Sequence, residues 1–441
     1  MTPPAPSWDR GRPAFCTTPV PGQNLGFAGR LDHVTVLASL PPVDDTEAVV
    51  AWVAAQLGDL ALEGSDRVRP GGHRGGQTAA DSALATLDVT GYAASRSTVL
   101  PPERRGASRL SPYICHGLLD LPTVWDAVVD APASDRRRYR DELLWQEYAR
   151  HLYARLGPAM AEPLRHEPPR PPVEPEWDEQ MACMSWVRSE LEDNGWLVNQ
   201  TRMWWASHWS VRHGGDWRDG EDYFFQHLLD GSRAANRLGW QWTVGTGSGK
   251  PYGFSRWQVE KRAPELCRSC ALRDACPIQD WPEASTGPRV ADSPVQAGGT
   301  KGASGPGPDH PVTDGEPSAV WLTAESLGDG DPALAAHPDL PVVFVFDEPG
   351  LRSLRLSGKR LVFVTECLAD LAERRDVEVR LGEVSQELAG TPLAVTFAPV
   401  PIFARRTADL TVAALHPWPW LERPTTQRLT SYSAWRKGVS R

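Results

Sequence analysis

Apolar residues recur at helical spacing in the first part of this 441-residue chain, as at Leu144, Tyr148 and Leu152. After residue 318 the pattern changes, and short apolar runs (AVWL, PVVFVF, VEVRL, PLAVTF) alternate with stretches of helical period. Between the two, residues 283–317 are mostly Gly, Pro, Ser and Ala without any period. These observations predict an α plus α/β multidomain chain. An all-helical domain over 77–282 is followed by a flexible linker over 283–317 and a small parallel α/β domain of Rossmann-like type over 318–441. Residues 1–76 form an N-terminal extension with one helix.

Composition narrows the function. No run approaches the roughly 18 apolar residues of a membrane span, and the start MTPPAPSWDRGRP lacks a charged-then-apolar signal, so a cytoplasmic protein is expected. A net charge of −10 argues against a chain that coats itself in nucleic acid. Only five of the 46 basic residues are lysines, and guanidinium suits bidentate phosphate contacts, although genomic composition gives the same bias. Seven cysteines in such a chain point to metal or catalysis before disulfides.

In chain order, His33–Leu40 reads as a short strand and Asp45–Leu62 as an amphipathic helix. GGHRGG at 71–76 reads as a flexible break, and Thr78 as the cap of a helix reaching Tyr92. In PPERRGASRLSPYICHG (101–117), Ser108 and Ser111 offer hydroxyls and backbone N–H groups at a helix start, with Arg109 nearby and Pro112 in the first turn. Such a start is also what an ordinary N-cap looks like. Residues 141–157 form a helix carrying Glu142 and Trp145, preceded by a basic cluster, Arg136–Arg140, read as a solvated turn. A proline-rich connection follows, from Pro158 to Trp177.

The densest stretch is Asn194–Lys250, with seven of the chain's 19 tryptophans. Trp217–Leu229 has the apolar face of a buried helix, and Asp216 and Asp230 stand where a cap or a terminal break is expected. GWQWTVGTGSG then reads as a helix end and a loop. Core packing is the plain account of any one tryptophan. Their clustering beside Asn, Arg and Asp favours a flat aromatic ligand for the group. Cys267, Cys270 and Cys276 form C-x2-C-x5-C-P, and three thiolates need a fourth ligand to close a zinc or iron–sulfur site. Cys183 is the candidate; Cys16, Cys115 and Cys367 have no partners at useful spacing, and Cys367 reads as core.

The pieces N-x-x-R-M, D-W-R-x-G-E-x-Y-F, L-L-D-G-S-x-A-A-N and G-W-Q-W-x-x-G-x-G, in this order, closely resemble the flavin-binding helical domain of the DNA photolyase/cryptochrome family. S-R-L-S at 108–111 resembles its flavin-phosphate loop, and DELLWQEY its N-E-L-x-W-R-E-F helix. The resemblance implies FAD held by Tyr92, Ser108, Arg109, Leu110, Ser111, Asn199, Arg202, Asp230 and Asn236. It implies an electron relay through Trp240 and Trp217, with Asn236 at flavin N5 and Glu142, Trp145 and Met203 contacting a pyrimidine dimer. Glu142 reads equally as a solvated helix acid. The implied activity is light-driven repair of UV-damaged DNA, of deoxyribodipyrimidine photo-lyase type; a cryptochrome-like photoreceptor without repair is the alternative.

The spacing of Cys183 from Trp196 and from Cys267 resembles the iron–sulfur branch of that family, which implies a [4Fe–4S] cluster on Cys183, Cys267, Cys270 and Cys276, with a four-cysteine zinc site the alternative. The segment W-L-x-x-x-S-L-x-D-x-D-P-A-L, then F-V-F-D, resembles the family's antenna-side α/β domain. In the family that domain comes first, so the chain reads as circularly permuted. This chain also departs from the pattern. Ser232 replaces an aspartate, Gln146 an arginine, and the usual cavity-wall insertion after residue 157 is missing.

Overall fold

The computed structural model describes residues 34–175, 178–296, 299–425 and 429–439; Cys16, Trp177 and the beginning of the N-terminal extension lie outside them. The architecture is a mixed helical assembly on a six-stranded, mostly parallel sheet.

The helices that matter here are α1 (Thr46–Leu57), α2 (Gln77–Ala85), α3 (Ala133–Leu156), α4 (Ala182–Asn194), α5 (Asn199–Ala206), α6 (Trp217–His227), α7 (Arg233–Val244), α8 (Pro264–Ser269), α9 (Gly358–Ala372) and α10 (Tyr432–Lys437). α2 stops at Ala85, because the Thr86 hydroxyl bonds back to Ser82 O (2.9 Å) and competes with the helical ladder; it does not run on to Tyr92. The basic cluster expected as a turn lies inside α3. There Arg140 donates to Trp125 O (2.8 Å) and stacks over its ring (4.4 Å), which holds the first turns in place.

The sheet runs β1 (Val312–Thr313), β6 (Val412–His416), β5 (Leu393–Thr396), β2 (Ala319–Leu322), β3 (Val342–Asp347), β4 (Val377–Gly382), with β1 alone antiparallel. β2 and β3 are apolar at nearly every position, as strands covered on both faces must be. Thr35–Leu37 extends the sheet beside β4, with Leu37 N donating to Val379 O and Leu381 N to Thr35 O (both 2.9 Å). β6 was not foreseen: VAALH carries too few branched residues to stand out from the following loop.

α9 joins the two halves. Every residue from Gly358 to Leu371 is buried, because α9 packs on the sheet with one face and on α1, α2 and the helical half with the other. GGHRGG is a packed loop against α9, not a flexible break. Gly75 N donates to Glu366 Oε2 (2.6 Å), Gly76 N to Cys367 Sγ (3.3 Å) and Gln77 N to Asp370 Oδ2 (2.9 Å). A Cβ at Gly75 would lie 2.2 Å from Phe363 O, so glycine is what permits the approach. Cys367 is core, as its apolar helix implied.

Candidate functional site

α6 and α7 build the aromatic centre. The Asp216 side chain accepts from Arg218 N (2.9 Å), which starts α6 with Trp217 at its first position. Ser232 caps α7, and Gly245 ends it in the left-handed region at φ 86°. Trp240 lies flat enough on α6 that a Cβ at Gly220 would come within 2.2 Å of its Cη2. Gly220 is one helical turn from Trp217, and the two indoles belong to one buried cluster at the α6–α7 contact, with Phe224 edge-on to Trp240 at 5.2 Å. Both are 2% exposed, and among the described residues neither indole N–H has an acceptor. Asn236, on the same helix as Trp240, is buried with its Nδ2 unpartnered. Orphaned donors at such a site are what a missing acceptor-bearing ligand would satisfy.

Asp230 sits in the turn between these helices. It does not cap α7; Arg202 Nη2 reaches it from α5 at 2.8 Å, and Arg202 Nε donates to Leu197 O (3.0 Å). Burial alone would raise the Asp230 carboxyl, but the Arg202 guanidinium and hydrogen bonds from Arg202 and Ser111 hold it below its ordinary value. Ser111 also accepts from Trp196 Nε1 (3.0 Å). Arg109, at φ 60°, lies over Trp196 (5.3 Å) and donates to Gly72 O (3.0 Å). A non-glycine residue held there stores strain, as ligand-clamping loops often do. Leu110 anchors that loop in the core, and Ser108 is half-buried beside it.

His73 completes this group and was missed by sequence reasoning. Its ring lies 5.9 Å from Trp196, and burial, with the Arg109 charge adding to it, lowers its pKa to about 4. Its only signal was a histidine inside a glycine run. The structure thus brings Ser111, Arg109, Trp196, Arg202 and Asp230 together with His73. FAD fits these residues: the Ser108–Ser111 loop and Arg109 suit phosphate, and Asn236, Asp230 and Arg202 suit the polar edge of a flavin ring. Asn199, at the first position of α5, is exposed, and Met203 is half-buried one turn on.

Glu142 and Trp145 belong to another group. Glu142 pairs with Arg96 (2.9 Å) and Arg138 (3.7 Å). Tyr92, packed edge-on to Tyr139 at 5.1 Å, is close enough for burial and then the Glu142 charge to raise its phenol. Trp145 meets the Tyr432 ring of α10 edge-on at 5.1 Å. The C-terminal segment runs along α3: Tyr432 Oη donates to Asp141 O (3.0 Å), Tyr148 Oη to Leu429 O (3.2 Å), and Glu422 N to Glu147 Oε1 (2.9 Å).

A separate pocket is lined by all four of Cys183, Cys267, Cys270 and Cys276, with Met181, Leu266 and Ile278 below and Arg256 and Arg273 beside them. Burial raises the Cys183 thiol, and the three neighbouring thiols raise it further. Among the described residues, no three His, Cys, Asp or Glu side chains form a ready site for one metal ion. The apolar walls and two guanidiniums fit an anionic thiolate-bound group. Among the described residues, no helix is long and apolar enough to cross a membrane.

Residues 139–263 match the family described as the FAD binding domain of DNA photolyase. The chain is similar to deoxyribodipyrimidine photo-lyases of Synechococcus sp. (31% identity over 33% of this chain and 34% of that protein) and Thermus thermophilus (34% identity over 32% and 36%). The matched region therefore spans about a third of the length of these curated relatives. A bacterial class III photolyase structure from Agrobacterium tumefaciens is similar at 25% identity over 48% of this chain and 47% of that one, with a TM-score of 0.35.

Proposed function

On the premise that this chain belongs to the photolyase/cryptochrome family through residues 139–263, we propose that it holds FAD between α5, α6 and α7 and repairs pyrimidine dimers in UV-damaged DNA under blue or near-ultraviolet light. The observation that carries this is the buried Trp240–Trp217 pair, one turn from the unpartnered amide of Asn236, inside the matched region. Bound FAD supplies the light-driven electron; the hard chemistry is the cofactor's. The chain's residues supply the rest. Arg202 and Asp230 fix the polar edge of the site. Asn236 offers a neutral amide where an acid would disfavour negative charge. Trp217, then Trp240, pass electrons inward to keep the cofactor reduced, and burial keeps water from these steps.

Two finer readings go with it. The four-thiol pocket holds a [4Fe–4S] cluster, supported by four thiols lining one cavity beside two arginines. The α/β half following the helical half supports a circularly permuted order relative to the family.

A cryptochrome-like light receptor without repair is the second reading. It is favoured by Tyr432 lying against Trp145, the residue assigned to stack on a flipped dimer. The test has two parts. Purified protein should carry noncovalent FAD, and illuminated reduced protein should restore a dimer-containing oligonucleotide. A colourless protein that takes up no FAD sinks both readings; FAD with photoreduction but no repair selects the second.

A further inference from the structure

Arg360, on α9, reaches out of the sheet half into the back of the proposed flavin site. It is 7% exposed. Its Nη1 donates to Phe225 O, its Nη2 to Gly231 O (3.2 Å), and its guanidinium lies over the Phe225 ring at 4.7 Å. A Cβ on Gly231 would sit 2.7 Å from Arg360 Nη1, so the contact is tight and next in sequence to Asp230. Among the described residues no carboxylate forms an ion pair with Arg360. The titratable groups that face it are Asp230, which is paired with Arg202, the half-buried Glu325, the Cys115 thiol and the like charge of Arg233, itself paired with Glu221. The guanidinium is thus held by carbonyls and an aromatic face with no direct ion pair, and the acids around it offset its charge only from a distance. Burial lowers its pKa to about 10, which leaves it a cation at neutral pH. Ser232 adds no negative charge, and α7 directs its N-terminus toward the same turn.

We propose that Arg360 is an electrostatic positioning residue of the flavin site, fixing the Leu228–Gly231 turn and stabilising the anionic reduced cofactor with a charge supplied from the sheet half. This rests on the reading that FAD lies beside Asp230 and Asn236. Reduction of bound FAD takes two electrons and one proton and leaves one negative charge on the ring. A fixed cation nearby favours that product and disfavours uptake of a second proton.

The experiment is an anaerobic titration of the flavin midpoint potential against pH in the holo-protein, with Arg360→Gln, Arg360→Met and Arg360→Lys. Wild type should show the pH slope of a one-proton, two-electron couple around neutrality. Gln and Met should lower the potential and steepen the slope toward the two-proton value; Lys, which keeps the charge, should retain wild-type behaviour. Gln also keeps a donor for the carbonyl oxygens, so it guards against loss of fold in the Met variant. Unchanged potential and slope in Gln and Met overturn the proposal, and so does an equal shift in all three variants, which would mark a structural role. A chain that takes up no FAD overturns the functional reading as well, and is distinguished because no flavin couple exists to titrate.

Discussion

The α6–α7 centre and the outer face of α3 both carry residues that the family resemblance assigns to function, yet they differ in what surrounds them. Trp217, Gly220, Phe224, Asn236 and Trp240 sit on two helices adjacent in sequence, and Trp217, Asn236 and Trp240 each carry a buried donor without a partner. Glu142 is paired with Arg96 and Arg138, and Trp145 faces a segment nearly 300 residues away, with Tyr432 Oη bonded to Asp141 O across a separation of 291. The first arrangement follows from local pattern. The second depends on what a remote part of the chain lays over the helix, and that decides whether Trp145 is available to a substrate.

The largest expected effect concerns the four-cysteine pocket, which joins a local cysteine cluster to Cys183, 84 residues before it. Cys183→Ser should abolish stoichiometric metal binding and destabilise the α4–α8 contact. Metal analysis of the purified variant checks this; retained iron or zinc would show that Cys183 is no ligand.

The covered face of α3 carries a pH signature. Burial, partly offset by Arg150 and the Glu422 and Leu421 N–H groups, raises the Glu147 carboxyl from 4.5 to about 7. The folded value lies above the unfolded one, so the associated stability is fully present below about 4.5 and is lost as pH rises through about 7. The loss amounts to about 3 kcal/mol well above that range. Glu147→Gln should match wild type in acid and exceed it in Tm above neutrality. Parallel pH profiles for the two proteins would show that Glu147 is not buried beneath the C-terminal segment.

Gly220→Ala should cost about 2 kcal/mol, because the new methyl meets the Trp240 ring. It should also displace bound FAD or alter its spectrum. Unchanged Tm and spectrum would mean that Trp240 does not lie on α6. Smallest is Tyr432→Ala, which removes an edge-on aromatic contact worth about 1 kcal/mol and frees Trp145. Affinity for a dimer-containing oligonucleotide should rise a few-fold; equal affinity with only a lower Tm supports light sensing.

Much of this was legible because short-range pattern carries it. The alternation of VVFVFD with KRLVFVTECLADLA foretold a parallel sheet with α9, and Cys267, Cys270 and Cys276 announce themselves by spacing, whereas Cys183, 84 residues before Cys267, joined them only through the family resemblance. What failed was long-range. Gly75 gives no sign that its N–H will meet Glu366, 291 residues on, so a packed loop reads as a break. Arg360 inside an apolar helix looks like a boundary residue until Phe225 and Gly231 supply its acceptors. Tyr432 and Trp435 sit in too short a run to announce a helix, and only α3 makes one of them.

The central claim is that the α6–α7 indole pair serves a flavin bound beside it. Transient absorption at the flavin band, at matched FAD occupancy, tests it directly in wild type, Trp240→Phe and Trp217→Phe. Trp240→Phe should slow light-driven reduction of bound FAD by orders of magnitude, and Trp217→Phe should slow it less where Trp205 or Trp209 offers another path. Equal photoreduction in all three proteins would contradict the account and leave the two tryptophans as packing residues.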